Sequence, residues 1–146
     1  MDKELQAKVL LVDDEEDFIE SLSNRLEVRG LTVSTSTRGK DALDLLHDQK
    51  FDVVVLDLSM PGMDGLEVLK KMKEESPETE IIMLSGHGTI QTSTEAIKLG
   101  AEDFLEKPID LPKLLQKISD AKDRRILVLQ EQSKEEIKDI LRSKGW

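Results

Sequence analysis

A run of four apolar residues, Val-Val-Val-Leu at positions 53–56, leads directly into a carboxylate, Asp57. Because these residues do not alternate with polar ones, the run predicts a strand that is covered on both faces, as in the interior of a parallel sheet. Such a strand places Asp57 at its carboxyl end. In open α/β sheets, ligands bind outside that end, in the crevice where the strand order reverses. Asp57 is therefore the residue around which we expect a site.

Other apolar runs end in the same way. The first, ending at Val12, is followed by Asp13 and Asp14, and residues 81–84 lead into Ser85. Residues 102–105 predict a short last strand that is followed by Lys107. Residues 31–36 alternate apolar side chains with Ser and Thr, which is typical of a more exposed edge strand.

Helical patterns separate these strands. Apolar residues at helical spacing predict one helix that ends at Gly30, a second over residues 41–49 and a third that ends before Pro77. A fourth is predicted over about residues 89–99, and Gly100 stops it. Asp110 is placed to cap a fifth helix. The alternation predicts a flavodoxin-like doubly wound (βα)5 fold, with a five-stranded parallel sheet of order 2-1-3-4-5. That order brings Asp13, Asp14 and Asp57 into one cleft.

The chain extends beyond what this fold needs. We expect residues 1–121 to form the domain and residues 122–146 to form a helical extension or linker. Ser133-Lys134-Glu135-Glu136 resembles a capping box, so the preferred prediction is a separate short helix that begins there. The alternative is one long helix in a dimeric coiled coil, although this would place Ser133 and Glu136 at core positions.

Composition narrows the classes of function. A chain of 146 residues is the size of one ordinary domain. With 21 basic and 31 acidic residues the net charge is −10, which argues against binding of a nucleic acid or an anionic membrane by this chain alone. The absence of Cys excludes disulfides and thiol catalysis. No apolar run is long enough to span a membrane, and no secretory signal is visible, so we expect a cytoplasmic protein.

The Arg124-Arg125 pair could suggest a basic stripe that binds an anionic partner. Because Asp120 and Asp123 interrupt that stripe, we interpret the two arginines as a solvated pair.

The chemistry of the predicted cleft follows from its charges. Three neighbouring carboxylates either raise a pKa or bind a cation. Oxygen ligands favour Mg²⁺ over softer metals, so Mg²⁺ is the expected cofactor. Lys107 could pair with Asp57 or with a phosphoryl oxygen, and Ser85 could donate a hydrogen bond. A carboxylate in such surroundings can attack phosphorus and form an acyl phosphate.

Four segments of the sequence together resemble the receiver domain of two-component response regulators. In chain order they are VLLVDDEED, VVVLDLSMPGMDGLEVL, IIMLSGHG and AEDFLEKPID, and the resemblance covers residues 6–121. It implies that Asp57 accepts a phosphoryl group from a sensor histidine kinase or a phosphotransfer protein. Asp14, Asp57 and the backbone carbonyl of Ser59 would bind Mg²⁺, Asp13 would add charge and orient water, and Lys107 would bind the phosphoryl group.

The resemblance also implies a switch. Ser85 would move toward the phosphoryl group and the ring of Phe104 would turn inward, which would alter the face made by the fourth helix, the fifth strand and the fifth helix. The altered face would serve either for binding a separate partner or for dimerisation, the latter as a phosphorylation-dependent homodimer. Ser59 and His87, each two residues beyond a site residue, would tune the lifetime of the acyl phosphate. The family pattern further predicts a cis peptide bond between Lys107 and Pro108.

An enzyme is the main alternative. Phosphatases that resemble haloacid dehalogenases also use an aspartyl nucleophile and Mg²⁺, but their second Asp acts as general acid, and Ser59 occupies that position here. We therefore expect a phosphoacceptor switch, with at most phosphorylation from small donors and self-dephosphorylation. Neither the Rossmann nor the P-loop glycine motif follows the first strand, which argues against a nucleotide-binding protein.

Within the receiver resemblance, residues 85–108 resemble receivers that are attached to enhancer-binding transcription activators.

Overall fold

The computed structural model describes residues 6–60, 63–86 and 90–143, with the backbone alone at residues 59, 60, 63 and 90. The strands are β1 Lys8–Val12, β2 Thr32–Ser36, β3 Val53–Asp57, β4 Ser59–Met60, β5 Met63–Asp64, β6 Glu80–Ser85 and β7 Asp103–Glu106. The helices are α1 Glu16–Val28, α2 Gly39–Asp48, α3 Gly65–Glu75, α4 Ile90–Lys98 and α5 Leu111–Ser143.

The main sheet is parallel and has the order β2-β1-β3-β6-β7. Counted among these five strands alone, this is the predicted order 2-1-3-4-5, so the prediction of a flavodoxin-like fold is confirmed. A small antiparallel ladder pairs β4 with β5 and was not predicted. Two residues per strand are too few for an alternation of apolar and polar side chains to show.

The apolar run before Asp57 fills both sides of the sheet. Val53 and Val55 belong to a core cluster that includes residues of α1 and α5. Val54 and Leu56 belong to a second cluster, which includes residues of α2 and α3. Since successive side chains of a strand point to opposite faces, an uninterrupted apolar run is what a doubly covered strand requires.

Helix ends follow the predicted signals. Gly30 and Gly100, which follow α1 and α4, have φ values of 92° and 108°, a region that favours glycine. The Asp110 carboxylate accepts a hydrogen bond from the backbone N–H of Lys113 at 3.2 Å, as expected of a cap for α5. The Lys107–Pro108 peptide bond is cis, as predicted. Among the residues that the structure describes, no helix is both long enough and apolar enough to cross a membrane.

The prediction of a separate helix from Ser133 is wrong, because α5 runs without a break from Leu111 to Ser143. Residues 122–143 contain neither Gly nor Pro and consist largely of good helix formers, so nothing interrupts the backbone hydrogen bonds. A capping box stabilises a helix start, but it does not end a helix that already precedes it. The interpretation of Arg125 as solvated is also wrong, because its side chain is only 13% exposed and forms an ion pair with Asp52. Arg124 is exposed, as interpreted, and forms an ion pair with Glu102.

Candidate functional site

Three aspartates meet at the carboxyl end of the central strands. Asp13 and Asp14 follow β1, Asp57 ends β3, and these two strands are paired neighbours. Each of the three carboxylates has an oxygen within 4.8 Å of the others. Asp13 and Asp57 are buried, at 2% and 3% exposure, whereas Asp14 is exposed. The structure thus brings together the acidic cluster that the strand order predicts.

The buried Asp13 is held by the backbone on two sides. Its Oδ1 accepts a hydrogen bond from the backbone N–H of Glu15 at 2.9 Å. Its own N–H donates to the carbonyl of Ser36, at the end of β2, at 3.1 Å. These bonds fix the carboxylate where α1 is about to begin, and leave Oδ2 facing the side chain of Lys107.

Lys107, which follows β7, reaches into this acidic cluster. Its Nζ lies 2.7 Å from Asp13 Oδ2, 3.4 Å from Glu15 Oε1 and 3.7 Å from Asp57 Oδ2. Burial lowers the pKa of Lys107, but the hydrogen bond and charge of Asp13, together with the charges of Asp57 and Glu15, outweigh that effect. The net result is a pKa above the ordinary value, so the side chain is an ammonium group at neutral pH.

Sequence reasoning missed Glu15 and Phe18 as neighbours of Lys107. The ring centroid of Phe18, on α1, lies 4.4 Å from the Lys107 Nζ. The sequence offered one weak signal for Glu15, its place in the acidic run that follows β1. Phe18 has the helical spacing of a core residue, and nothing local indicates contact with a lysine 89 positions later.

Ser85 and Phe104 lie on the two neighbouring strands β6 and β7. Ser85 is fully buried at the end of β6, and its carbonyl accepts a hydrogen bond from the backbone N–H of Lys107 at 2.8 Å. Phe104 is half-buried, stands opposite Met83 in the parallel register and packs against the second core cluster. The two proposed switch residues are therefore on adjacent strands, one of them beside the backbone of Lys107.

The two positions predicted to tune the acyl phosphate differ in what can be said of them. The backbone of Ser59 forms part of β4, opposite Asp64, and lies two residues after Asp57, where β3 ends. The side chain of Ser59, and the whole of His87, lie outside the described residues.

The acidic cluster has the ligand chemistry of a hard cation. Asp13, Asp14 and Asp57 supply oxygen ligands alone, and Glu15 adds a fourth carboxylate within reach of the Lys107 ammonium group. One ammonium group does not balance the charge of these carboxylates. A small divalent cation with oxygen ligands would reduce the repulsion, so the residues present fit Mg²⁺.

Comparison with known proteins identifies the family. The model of the response regulator receiver domain matches residues 9–119. The chain is 36% identical over 125 residues to the C4-dicarboxylate transport transcriptional regulatory protein DctD of Rhizobium meliloti, covering 86% of this chain and 27% of DctD. It is 38% identical over 113 residues to the transcriptional regulatory protein FixJ of Bradyrhizobium diazoefficiens, covering 77% of this chain and 55% of FixJ. The chain thus spans only about a quarter to a half of these relatives' lengths.

Solved structures agree with this assignment. The beryllofluoride-activated NtrC4 receiver domain dimer has a TM-score of 0.77 and 39% identity, covering 81% of this chain and 98% of that one. A CheY-like receiver domain protein of Methanospirillum hungatei has a TM-score of 0.79 and 26% identity, covering 83% and 97%. The comparisons lend no support to the haloacid-dehalogenase alternative. With its fold, its acidic cluster and these matches, the chain belongs to the response regulator receiver domain family.

Proposed function

We propose that this receiver stores a phosphoryl group on Asp57 and is a switch rather than a turnover enzyme. The observation that carries the proposal is the placement of Asp57, buried at the end of β3 with the Lys107 ammonium group 3.7 Å away and two further aspartates beside it. In the transfer, an Asp57 carboxylate oxygen attacks phosphorus and forms a P–O bond. The bond between phosphorus and the donor histidine nitrogen breaks, and its electron pair stays on that nitrogen.

Mg²⁺ is the proposed cofactor. Asp14, Asp57 and the backbone carbonyl of Ser59 would hold the ion, and Asp13 would orient its bound water. When bound, the cation would withdraw charge from the phosphoryl oxygens and so lower the repulsion that opposes attack by a carboxylate. The chain's own contribution is to hold three carboxylates close together, two of them buried, before the ion and the donor arrive.

Lys107 and Ser85 are proposed to receive the phosphoryl group. The Lys107 ammonium group already lies near both Asp13 and Asp57, so it can donate a hydrogen bond to a phosphoryl oxygen on Asp57 after a small movement. Phosphorylation adds about −1.5 to −2 charges and three strong acceptor oxygens, which would draw the Ser85 hydroxyl closer. Phe104 would turn inward in response and bias the face formed by α4, β7 and α5.

The remaining roles follow from the same proposal. Residues 1–121 would be the receiver and residues 122–146 the helical connection to an output. A sensor histidine kinase or a phosphotransfer protein would be the donor, and a phosphorylation-dependent homodimer would form through the α4, β7 and α5 face. Ser59 and His87 would set the lifetime of the acyl phosphate. The proposal implies a cytoplasmic location and, at a net charge of −10, no binding of nucleic acid by this chain alone.

Incubation with acetyl phosphate and Mg²⁺ tests this function. Intact-mass spectrometry should detect one added phosphoryl group per chain, and Asp57→Asn should abolish it. Asp48→Asn, which alters an exposed residue at the end of α2, should leave labelling unchanged. Labelling that persists in Asp57→Asn, or sustained hydrolysis of a small phosphate ester by the wild-type chain, would contradict the proposal.

A further inference from the structure

Phe18 is a neighbour of the Lys107 ammonium group that carries no charge and yet attracts a cation. The ring belongs to α1, four residues after Asp14, and is half-buried against the first core cluster. A core role alone would need only an apolar side chain of similar size. The distance of 4.4 Å between the ring centroid and Nζ is instead that of a cation–π contact, in which the face of the ring attracts the cation.

The distances to the carboxylates indicate why such a contact matters. Nζ is within hydrogen-bond distance of Asp13, at 2.7 Å, but lies 3.7 Å from the nearest Asp57 oxygen. Binding of a phosphoryl group on Asp57 would favour a shift of the ammonium group from Asp13 toward Asp57. A hydrogen bond weakens steeply with distance and angle, whereas cation–π attraction persists to about 6 Å from the ring centroid.

The surroundings of Lys107 make that attraction substantial. The lysine side chain is only 15% exposed, so water competes weakly for the ammonium group. The face of a ring does not accept a directed hydrogen bond from a particular N–H group, as a carboxylate oxygen does. The N–H groups of Lys107 therefore stay available to phosphoryl oxygens. Lys8 and Phe51 form a looser contact of the same kind, 5.0 Å from Nζ to the centroid, where the neighbouring strands β1 and β3 begin. That pair provides an internal comparison away from the acidic cluster.

We propose that Phe18 is a positioning residue, whose ring keeps the Lys107 ammonium group beside Asp57 while the lysine exchanges Asp13 for the phosphoryl group. The inference rests on the proposed role of Lys107 in binding that group. Phe18 itself touches neither the phosphoryl group nor Asp57 in this account. It acts through the lysine.

The test replaces the ring while the acetyl phosphate reaction is followed. Phe18→Leu should slow labelling of Asp57 by roughly 5- to 30-fold, the range expected for loss of a cation–π contact with a largely desolvated lysine. Phe18→Tyr keeps an electron-rich ring and should restore the rate. Pentafluorophenylalanine at position 18 keeps the shape but reverses the charge distribution of the ring, so it should behave as Leu does. Phe51→Leu is the matched control and should leave the rate unchanged.

A second readout does not depend on the reaction. In the wild-type chain, the ring should shift the NMR resonances of the Lys107 ε-methylene protons upfield, both before and after addition of Mg²⁺ with beryllofluoride, a phosphoryl mimic. Loss of that shift on adding the mimic, or a labelling rate in the fluorinated protein equal to that of wild type, would overturn the inference. If Phe18→Leu does not fold, the protein with pentafluorophenylalanine at position 18 is sufficient to test the inference.

The two proposals fail differently. A wild-type chain that is never labelled on Asp57 would remove the proposed function, and the role of Phe18 with it. Normal labelling of wild type, together with equal rates in all the Phe18 variants, would remove the positioning role alone.

Discussion

Arg125 of α5 forms an ion pair with Asp52, the residue that precedes β3, with 3.0 Å between Nη1 and Oδ1. Both side chains are largely shielded, at 13% and 19% exposure. The other oxygen of Asp52 accepts a hydrogen bond from the backbone N–H of Lys8 at 2.8 Å. Arg124 pairs in the same region with Glu102, the residue before β7. Two consecutive arginines thus tie α5 to the amino end of the sheet, just before the helix becomes exposed.

Arg125→Ala should therefore loosen the exposed half of α5. Removing one partner of a largely shielded ion pair leaves Asp52 poorly compensated, so we expect a loss of about 1–2 kcal/mol in the free energy of unfolding. Backbone amides of residues 122–143 should also exchange faster with deuterium, because the helix loses its attachment to β3. Urea denaturation and hydrogen–deuterium exchange measure the two effects.

The control for this variant is Arg142→Ala, which alters an exposed arginine in the last turn of the same helix. It should change neither quantity by a comparable amount. Unchanged amide exchange in Arg125→Ala would show that the ion pair does not hold the extension.

Glu80 should make stability depend on pH. It is buried at the start of β6, at 7% exposure. Burial first, and then the hydrogen bond and charge of Glu102, raise its pKa to about 7 against the opposing charges of Lys73 and Arg124. The folded chain therefore holds a proton that the unfolded chain releases near pH 4.5, its ordinary value. The stabilisation is fully present below that pH and is lost as the pH rises through about 7.

Glu80→Gln tests this dependence, since the amide keeps the shape and does not ionise. Urea denaturation between about pH 4.5 and 7 should show a smaller fall in unfolding free energy for the variant than for wild type. Glu74→Gln, at an exposed position of α3, should keep the wild-type slope. If the unfolding free energy falls equally steeply with pH in Glu80→Gln and in wild type, the pH dependence must come from other groups.

Gly65 permits α3 to begin close to the chain that follows Asp57. A Cβ at this position would lie 2.3 Å from the backbone oxygen of Leu58, far inside van der Waals contact. Since the obstructing atom is backbone, Gly65→Ala should destabilise the fold by about 1–3 kcal/mol. It should also slow labelling of Asp57, because the segment next to that residue must shift.

Gly86→Ala offers a matched comparison, because a Cβ there would meet no atom of the described residues within 4 Å. Thermal unfolding of both variants should show a clear drop for Gly65→Ala and little change for Gly86→Ala. A Gly65→Ala protein as stable as wild type would mean that the backbone around Leu58 yields easily.

Asp14 should contribute to the affinity for Mg²⁺ but little to the stability of the fold, because its side chain is exposed. Asp14→Asn removes one negative charge a few ångströms from the proposed ion. The loss should weaken Mg²⁺ binding by roughly tenfold or more, because such a charge contributes at least about 1 kcal/mol even when well solvated. Isothermal titration calorimetry and the Mg²⁺ dependence of labelling measure this change.

Asp17→Asn, an exposed substitution on α1, is the control and should bind Mg²⁺ as wild type does. Removal of divalent ions with a chelator should stop labelling in both proteins. Labelling that continues in the presence of a chelator would contradict the proposed cofactor.

The alternation of strands and helices, the strand order and the meeting of Asp13, Asp14 and Asp57 could all be predicted from the sequence. These follow from local rules, because a doubly covered strand needs an apolar run and parallel strands deliver their following residues to one edge of the sheet. The caps at Asp110 and Gly100 are local as well.

In contrast, the set of side chains around Lys107 and the attachment points of α5 depend on contacts between distant parts of the chain. Lys107 and Asp13 are 94 positions apart, and Arg125 and Asp52 are 73 apart. Whether such pairs touch depends on helix packing and strand register, which no short segment encodes. The prediction of a new helix at Ser133 was wrong for a related reason. A capping motif indicates where a helix could start, but a helix that already precedes the motif continues through it when nothing interrupts its backbone hydrogen bonds.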